Sequence, residues 1–247
     1  MPQRLTDKDT IRRLLNADRE WSIYPLADLD EGLFEHCEWW GLASALAMVF
    51  RAIAIRPIFV IGDAASTQEL LAAMTESSGY LNLRQHQLDA AETVYRFRTR
   101  HQMRRMILDD FRPRVGDTEV LGPKDCEEIE TLYQSGDGGI AFAPFQLGTG
   151  LFRGVRRKGE LVAVAGAQVA SCAERVAAIG NIFTRPDCRG QGLAQTVTSA
   201  VVSAIRGAGI PTIGLNVECA NAAAIRAYEK IGFRSRFDYV DGAADRL

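Results

Sequence analysis

The stretch that most constrains the fold of this chain is NIFTRPDCRGQGLAQTVTSAVVSAI, from Asn181 to Ile205. It reads as a strand, a tight glycine-bearing loop, and then a helix. Asn181 to Thr184 are extended in character, and Pro186 ends that run because it cannot donate to a sheet ladder. Gly190 and Gly192 permit backbone torsions closed to other residues and let a ligand approach the main chain. The helix beyond them carries Leu193, Val197, Ala200, Val201, Ala204 and Ile205 along one face. Gly207 and Gly209 stop it. The first turn of a helix leaves amide hydrogens unpaired at the positive end of the helix dipole. A glycine loop feeding such a turn therefore suits an anion, above all a pyrophosphate. Taken alone, RGQGLA fits a plain turn equally well.

A second stretch sharpens that reading. From Asn216 to Phe233 the chain runs NVECANAAAIRAYEKIGF. A strand ends here, and Asn221 is placed to cap the next helix. Ala224, Ile225, Tyr228 and Ile231 form the inner face of that helix, and Gly232 closes it. Together the two stretches resemble the signature motifs of the GNAT superfamily of acyl-CoA-dependent N-acetyltransferases. The first family pattern, Gln/Arg-x-x-Gly-x-Gly/Ala, is met by Arg189, Gly192 and Ala194. The second, an Asn followed by Ala-Ile, an aromatic YEK and Gly-Phe, is met by Asn221, Ala224, Ile225, Tyr228, Gly232 and Phe233. The resemblance covers Thr118 to Val240, about half of the chain.

Composition narrows the alternatives. A chain of 247 residues holds one large domain or two small ones, and either can bury a real core. The net charge of −2 supplies no global field to recruit nucleic acid or an acidic membrane. The five cysteines, Cys37, Cys126, Cys172, Cys188 and Cys219, are scattered and odd in number, as expected of reduced thiols in a cytoplasmic protein. His36, His86 and His101 are dispersed, and no pair stands at metal-ligand spacing, so no metal is expected. The start, MPQRLTDKDTIRR, has no apolar core of the signal-peptide kind. The most apolar run, Gly41 to Phe50, is too short to cross a bilayer, and Arg51, Arg56 and Pro57 interrupt its continuation. It reads as buried, in a soluble protein that does not engage a membrane.

Residues Met1 to about Phe111 differ in texture from the rest. Thr6 or Asp7 can cap a short helix packing through Ile11, Leu14 and Leu15. Trp21, Tyr24, Trp39 and Trp40 crowd one segment, as core or as an acceptor-binding wall. Pro57 to Asp63 reads as a buried strand, turning into a helix with a capping box of Ser66 and Glu69. This order echoes the later strand, loop and helix, but GDAAST lacks both the second glycine and an ATP-type Gly-Lys ending. Between Val94 and Met106, Arg96, Arg98 and Arg100 alternate with Tyr95 and Phe97 and would share one face of a strand. The run is short and the chain slightly acidic, so a solvated edge or salt bridging between domains is expected here, not nucleic acid.

Asp109 to Asp117, with a proline, a glycine and dense charge, is the linker candidate. Domains are accordingly expected at 1–112 and 118–247. Beyond the linker, TEVLG makes a strand, and Pro123 to Gln134 a helix with Ile129, Leu132 and Tyr133 inward. Two strands turn at Lys158–Gly159, and Val176 to Thr184 leads into the glycine loop. Thr212 to Val217 and Phe233 to Val240 complete the sheet. The expected class is α/β of mixed α+β type. It is a GNAT-like, mostly antiparallel sheet with helices on both faces, preceded by a smaller α/β domain. That leading half resembles the degenerate half of two-domain members of the superfamily, with no second cofactor expected.

The resemblance also implies roles. The pyrophosphate of acetyl-CoA, the co-substrate, would sit on backbone amides of Arg189, Gly190, Gln191, Gly192, Leu193, Ala194 and Gln195. The pantetheine arm would run like an extra strand beside Ile182, Phe183 and Thr184, where the two central strands splay and leave backbone groups open. Asn221 would bond the arm from the other side, and a free N–H of the first strand would steady the thioester oxyanion. Tyr228 is the matched position for donating to the departing thiolate, as a helper that is not indispensable, since a phenol is a weaker acid than a thiol.

The chain also departs from the family. Ala178 and Gly180 stand where several members carry a catalytic Glu or His, and neither can accept a proton. An alkylammonium with a pKa near 10.4 must still lose one, at a cost of about 4.6 kcal/mol at pH 7. Water can carry it, or Glu174, Glu218 or Asp238 can supply a base. Asn181 can orient an acceptor but is no base. Cys219 has no nearby His to activate it, so direct transfer is expected rather than an acyl-cysteine. The leading function is an acyltransferase moving acetyl directly to a primary amine, small-molecule or peptide. The alternative is a non-catalytic acyl-CoA-binding sensor or interaction module, and a nucleic-acid-associated enzyme ranks third. Gly136 to Gly150, glycine-rich and apolar, is expected to act as a mobile lid. The acceptor and the oligomeric state, a homodimer included, stay open.

Overall fold

The computed structural model describes residues 1–136, 138 and 142–247 and divides into two units. The first takes Met1–Arg105, Glu218–Ala220 and Phe237–Leu247, and the second Met106–Val217 and Asn221–Arg236. Contacts in space, not chain order, draw that division.

In the first unit β1 (Gln3–Leu5) precedes α1 (Lys8–Leu15), which Asp7 caps by accepting the Thr10 N–H at 2.9 Å. After α2 (Ile23–Ala27) come β2 (Cys37–Leu42), β3 (Ala45–Phe50) and β4 (Pro57–Ile61). Next are α3 (Ala64–Ala73), β5 (Ser78–Arg84), α4 (Leu88–Glu92) and β6 (Tyr95–Phe97). Strands β1 to β5 pair in chain order, antiparallel except for the parallel pair β4–β5. The apolar run Gly41–Phe50 is not one buried segment but a hairpin turning at Ala43 (φ 51°), with Ala43 and Ser44 exposed and all six residues of β3 inside. Trp21 and Trp39 are 1% and 2% exposed, and the Trp21 indole donates to Val60 O at 3.0 Å. They pack the core. The cap of α3 is Asp63, which accepts the Ser66 N–H at 2.8 Å, so the helix starts earlier than a Ser66 box would start it.

The arginine-rich stretch breaks into two strands, β6 and β7 (His101–Leu108), because the chain turns through Arg98–Arg100. Its arginines therefore do not line one face. Arg98 meets Asp245 at 3.3 Å and Arg100 meets Glu92 at 3.0 Å, ion pairs within this unit.

The second unit continues with β8 (Glu119–Leu121), α5 (Cys126–Gln134), β9 (Phe152–Arg157), β10 (Glu160–Ser171) and β11 (Val176–Thr184). Then come α6 (Leu193–Gly207), β12 (Thr212–Glu218), α7 (Ala222–Lys230) and β13 (Phe233–Arg246), whose residues from Phe237 on belong to the first unit and pair there with β5. The sheet order is β12-β11-β10-β9-β8, antiparallel except for β11–β12. Lys158 (φ 50°) and Gly159 (φ 88°) make the tight turn between β9 and β10, where two successive left-handed residues match the strand twist. Successive residues of a strand face opposite sides. Ala163, Ala165 and Ala167 of β10 thus meet Val197, Val201 and Ile205 of α6, with Ile225 and Tyr228 of α7. Val164 points the other way, to Ile129, Leu132 and Tyr133 of α5. Helices cover both faces of a mixed sheet, as the class predicts. The strand–helix–parallel-strand order β11-α6-β12 repeats the β4-α3-β5 order of the first unit.

The segment expected as a linker lies against α6. The Arg114 N–H donates to Ser199 Oγ at 3.0 Å. A Cβ built on Gly116 would come 2.7 Å from the Thr196 methyl. This cover explains why α6 buries Thr196 and Ser199 beyond its apolar face. Of the segment expected as a lid, Asp137, Gly139, Ile140 and Ala141 lie outside the described residues. Pro144–Thr149 is a short 3-10 helix whose Gln146 is 7% exposed.

Candidate functional site

The parallel pairing of β11 with β12 runs from Val176–Thr212 to Ile179–Leu215 and stops, although β11 continues to Thr184 and β12 to Glu218. Among the described residues, Gly180 to Thr184 have no strand partner on that side, so the two strands part where the glycine loop begins. A bulge sharpens the parting. The register with β10 passes from Gly166–Gly180 to Val164–Phe183, which inserts one residue in β11, and Asn181 takes a left-handed conformation (φ 54°). Two bonds hold it there. The Tyr133 hydroxyl donates to Asn181 O at 2.9 Å, and Asn181 Nδ2 donates to Gln146 Oε1 at 2.9 Å. Ile182 and Thr184 are half-buried, and the Phe183 ring is buried edge-on against Tyr133, so Phe183 offers its backbone.

The loop itself bends at Gly190 (φ 77°) and Gly192 (φ 79°), the latter capping α6. Arg189, Gly190 and Gln191 are exposed, while Leu193, Ala194 and Gln195 are half-buried in the first turn. Three guanidinium groups gather here. Arg189 Nε donates to Thr184 O at 3.1 Å, Arg157 bonds the Gln191 side chain, and Arg114 lies over Gly192. A helix N-terminus with open amides and three cations is set up for a multiply charged anion.

At the start of α7, Asn221 Oδ1 accepts the Ala224 N–H at 3.0 Å, the expected cap, and Asn221 is exposed. Tyr228 is 7% exposed, its ring edge-on to Phe233 with centroids 6.3 Å apart. Burial pushes its phenol well above its ordinary pKa. The hydroxyl therefore keeps its proton at neutral pH and acts as a donor.

The candidate bases are divided between the two units. Glu174 sits in the turn before β11, at the end opposite the glycine loop, about 20 Å along the strand from Gly180. Glu218 and Asp238 belong to the first unit. There Asp238 takes both Arg104 Nε and Nη2, at 2.7 and 2.9 Å, and these bonds hold its carboxyl below the usual range. Burial, with Asp238 as a second cause, pushes the Cys219 thiol up, which disfavours a thiolate nucleophile. Ala178 is fully buried. Beside Gly180 lies the Gln168 side chain of β10, with Oε1 2.5 Å from the point a Cβ would occupy.

Arg114, Arg157, Gln146 and Gln168 were not legible as site residues. Each comes from a segment distant in the chain from the glycine loop and the strand before it, and nothing in its immediate neighbourhood marks it as part of the site. Among the described residues no group of three or more His, Cys, Asp and Glu could hold a metal, and no helix is long and apolar enough to cross a membrane.

Comparison with known proteins bears on this geometry. Residues 117–233 match the model of the acetyltransferase (GNAT) family. A mycothiol acetyltransferase of Streptomyces coelicolor is 35% identical over 77 residues, 31% of this chain and 25% of that protein. The [ribosomal protein bS18]-alanine N-acetyltransferase of Escherichia coli is 32% identical over 77 residues, 29% of this chain and 52% of the relative. The matches thus span a quarter and about half of these relatives. The X-ray structure of a Drosophila protein superposes with a TM-score of 0.71 at 15% identity, covering 98% of both chains. That likeness concerns the fold.

Proposed function

We propose that the chain, whose residues 117–233 match the model of the acetyltransferase (GNAT) family, transfers an acetyl group from acetyl-CoA directly to a primary amine. The observation that carries this reading is the parting of β11 from β12 beyond Ile179–Leu215 at the mouth of the glycine loop. An extended arm can pair there with open backbone, while a pyrophosphate meets the first turn of α6. The residues fit that substrate. Arg189 to Gln195 supply amides, Arg114, Arg157 and Arg189 supply positive charge, and Ile182, Phe183 and Thr184 supply backbone.

In this reading acetyl-CoA is the acyl donor, and the chain binds, orients and donates hydrogen bonds. An N–H of β11 beyond the bulge faces the developing oxyanion. Asn221, its Oδ1 engaged in the cap, has its amide N–H groups left for the arm. Tyr228 donates a hydrogen bond to the sulfur as the C–S bond breaks, without giving up its proton outright. In this reading the acyl-CoA site belongs to the domain read at 118–247, joined by Arg114 from the segment before it, with 1–112 as a separate domain, and scattered free cysteines fit a cytoplasmic setting.

A specific feature favours a second reading. The lack of a proton acceptor at Ala178 and Gly180 suits an acyl-CoA-binding sensor that does not turn over. Thiol release from acetyl-CoA, followed against a panel of primary amines, separates the two. Amine-dependent release with N-acetylated product supports the enzyme, and binding without release supports the sensor.

A further inference from the structure

Strand β10 carries its own irregularity opposite the bulge of β11. Ala167 pairs with Ile179 and Val169 with Ala178, so Gln168 is an extra residue between two successive pairs. Its side chain crosses to the neighbouring strand at Gly180. Oε1 lies 2.5 Å and Cγ 2.6 Å from where a Cβ on Gly180 would stand, closer than any real side chain would allow. The space of a residue-180 side chain is thus filled by an amide brought from β10. Gln168 is half-buried, not sealed in the core. Its backbone is tied into the same network as the β11 bulge. Gln146 Nε2 donates to Gln168 O at 3.4 Å, while Gln146 Oε1 accepts from Asn181.

Filling alone calls for a methyl or a methylene. An amide offers an acceptor and a donor at fixed positions and takes up no proton at any working pH. We propose that Gln168 stands in for the absent side chain at position 180 and orients the acceptor amine, which it receives as the free base. This rests on the acetyl-transfer reading and deepens it. The amine donates one N–H to Gln168 Oε1 and keeps its lone pair for the thioester carbonyl. The N–C bond forms, the C–S bond breaks, the nitrogen loses a proton to water, and the thiolate gains one from water. Gln168 binds and positions, and gains no charge.

The test uses the full chain, acetyl-CoA and n-butylamine as probe, with thiol release measured from pH 6 to 10 in wild type, Gln168→Ala and Gln168→Glu. Wild-type kcat/KM for the amine should rise about tenfold per pH unit toward the pKa of the amine itself, near 10.4, without an earlier plateau. Gln168→Ala should raise KM for butylamine about tenfold, with kcat and the Kd of acetyl-CoA little changed. Gln168→Glu, which keeps the shape and adds a base, should lift the rate at pH 7 relative to pH 9 and introduce an inflection below pH 7. If wild type acetylates butylamine but neither variant changes KM or pH profile, the inference is overturned and acetyl transfer stands. If wild type shows no amine-dependent release, both fall. Should Gln168→Ala fail to fold, the pH profile of Gln168→Glu decides alone.

Discussion

The guanidinium of Arg114 lies over Gly192. A Cβ built on that glycine would come within 2.5 Å of Arg114 Cζ and 2.6 Å of Nη2. Nη1 is 3.4 Å from Gln195 Oε1 and Nη2 3.5 Å from Gln191 O, weak bonds that a phosphate would outcompete. A residue far from the glycine motif in sequence therefore completes its cationic wall.

Replacing that side chain should weaken the anion and little else. Arg114→Ala is expected to raise the Kd of acetyl-CoA about tenfold and flatten its dependence on salt. The melting temperature should stay nearly unchanged, because Arg114 is exposed and its backbone bond to Ser199 remains. Titrations at two ionic strengths check this, and an unchanged Kd would remove Arg114 from the site.

Tyr228→Phe should lower kcat by about 10²-fold with the Kd of acetyl-CoA unchanged. The ring keeps its contact with Phe233, so stability should hold. Because burial raises the phenol pKa, no fall in rate from Tyr228 ionisation is expected below about pH 10. Full activity in the Phe variant would remove Tyr228 from the stabilisation of the departing thiolate.

Asn221→Ala removes the acceptor of the Ala224 N–H and should cost about 1 kcal/mol of unfolding free energy. Urea denaturation measures it. The same variant should bind acetyl-CoA more weakly if the amide also meets the arm.

Asp28, 5% exposed in the first unit, gives a stability signature that depends on pH. Burial first and the charge of Asp30 second push its carboxyl up to about 8. A folded pKa above the unfolded value of 3.8 means the native state holds a proton that the unfolded chain has lost. The contribution is full below about pH 4 and is lost progressively as pH rises to about 8. Asp28→Asn keeps the shape without the charge and should stabilise the protein at pH 8 by a few kcal/mol, on the order set by that gap, and by almost nothing at pH 4. Equal effects at both pH values would contradict the burial.

The local features were legible wherever one segment settles its own conformation. The Lys158–Gly159 turn, the Asp7 and Asn221 caps and the inner face of α7 are each set by near neighbours in the chain. The two bulges were not legible. Asn181 and Gln168 are displaced by how two long strands register against each other, and nothing at either position marks it alone. Arg114 was hidden differently, since dense charge with a proline and a glycine reads as a linker until α6 offers Ser199 and Thr196 as a bed. The lack of a base at Ala178 and Gly180 was visible in the chain, whereas the amide that fills the second position was not. The substitution of a Cβ by a side chain from another strand has no sequence pattern.

The measurement closest to the central claim is a calorimetric titration of acetyl-CoA and of CoA into wild type and Gly192→Glu, with the fold of the variant checked by circular dichroism. A glutamate there would carry a side chain at φ 79°, collide with Arg114 and set a negative charge at the first turn of α6. The account predicts micromolar binding or better to wild type and none to the variant. Binding to neither compound by wild type, or equal binding by a folded variant, would contradict it.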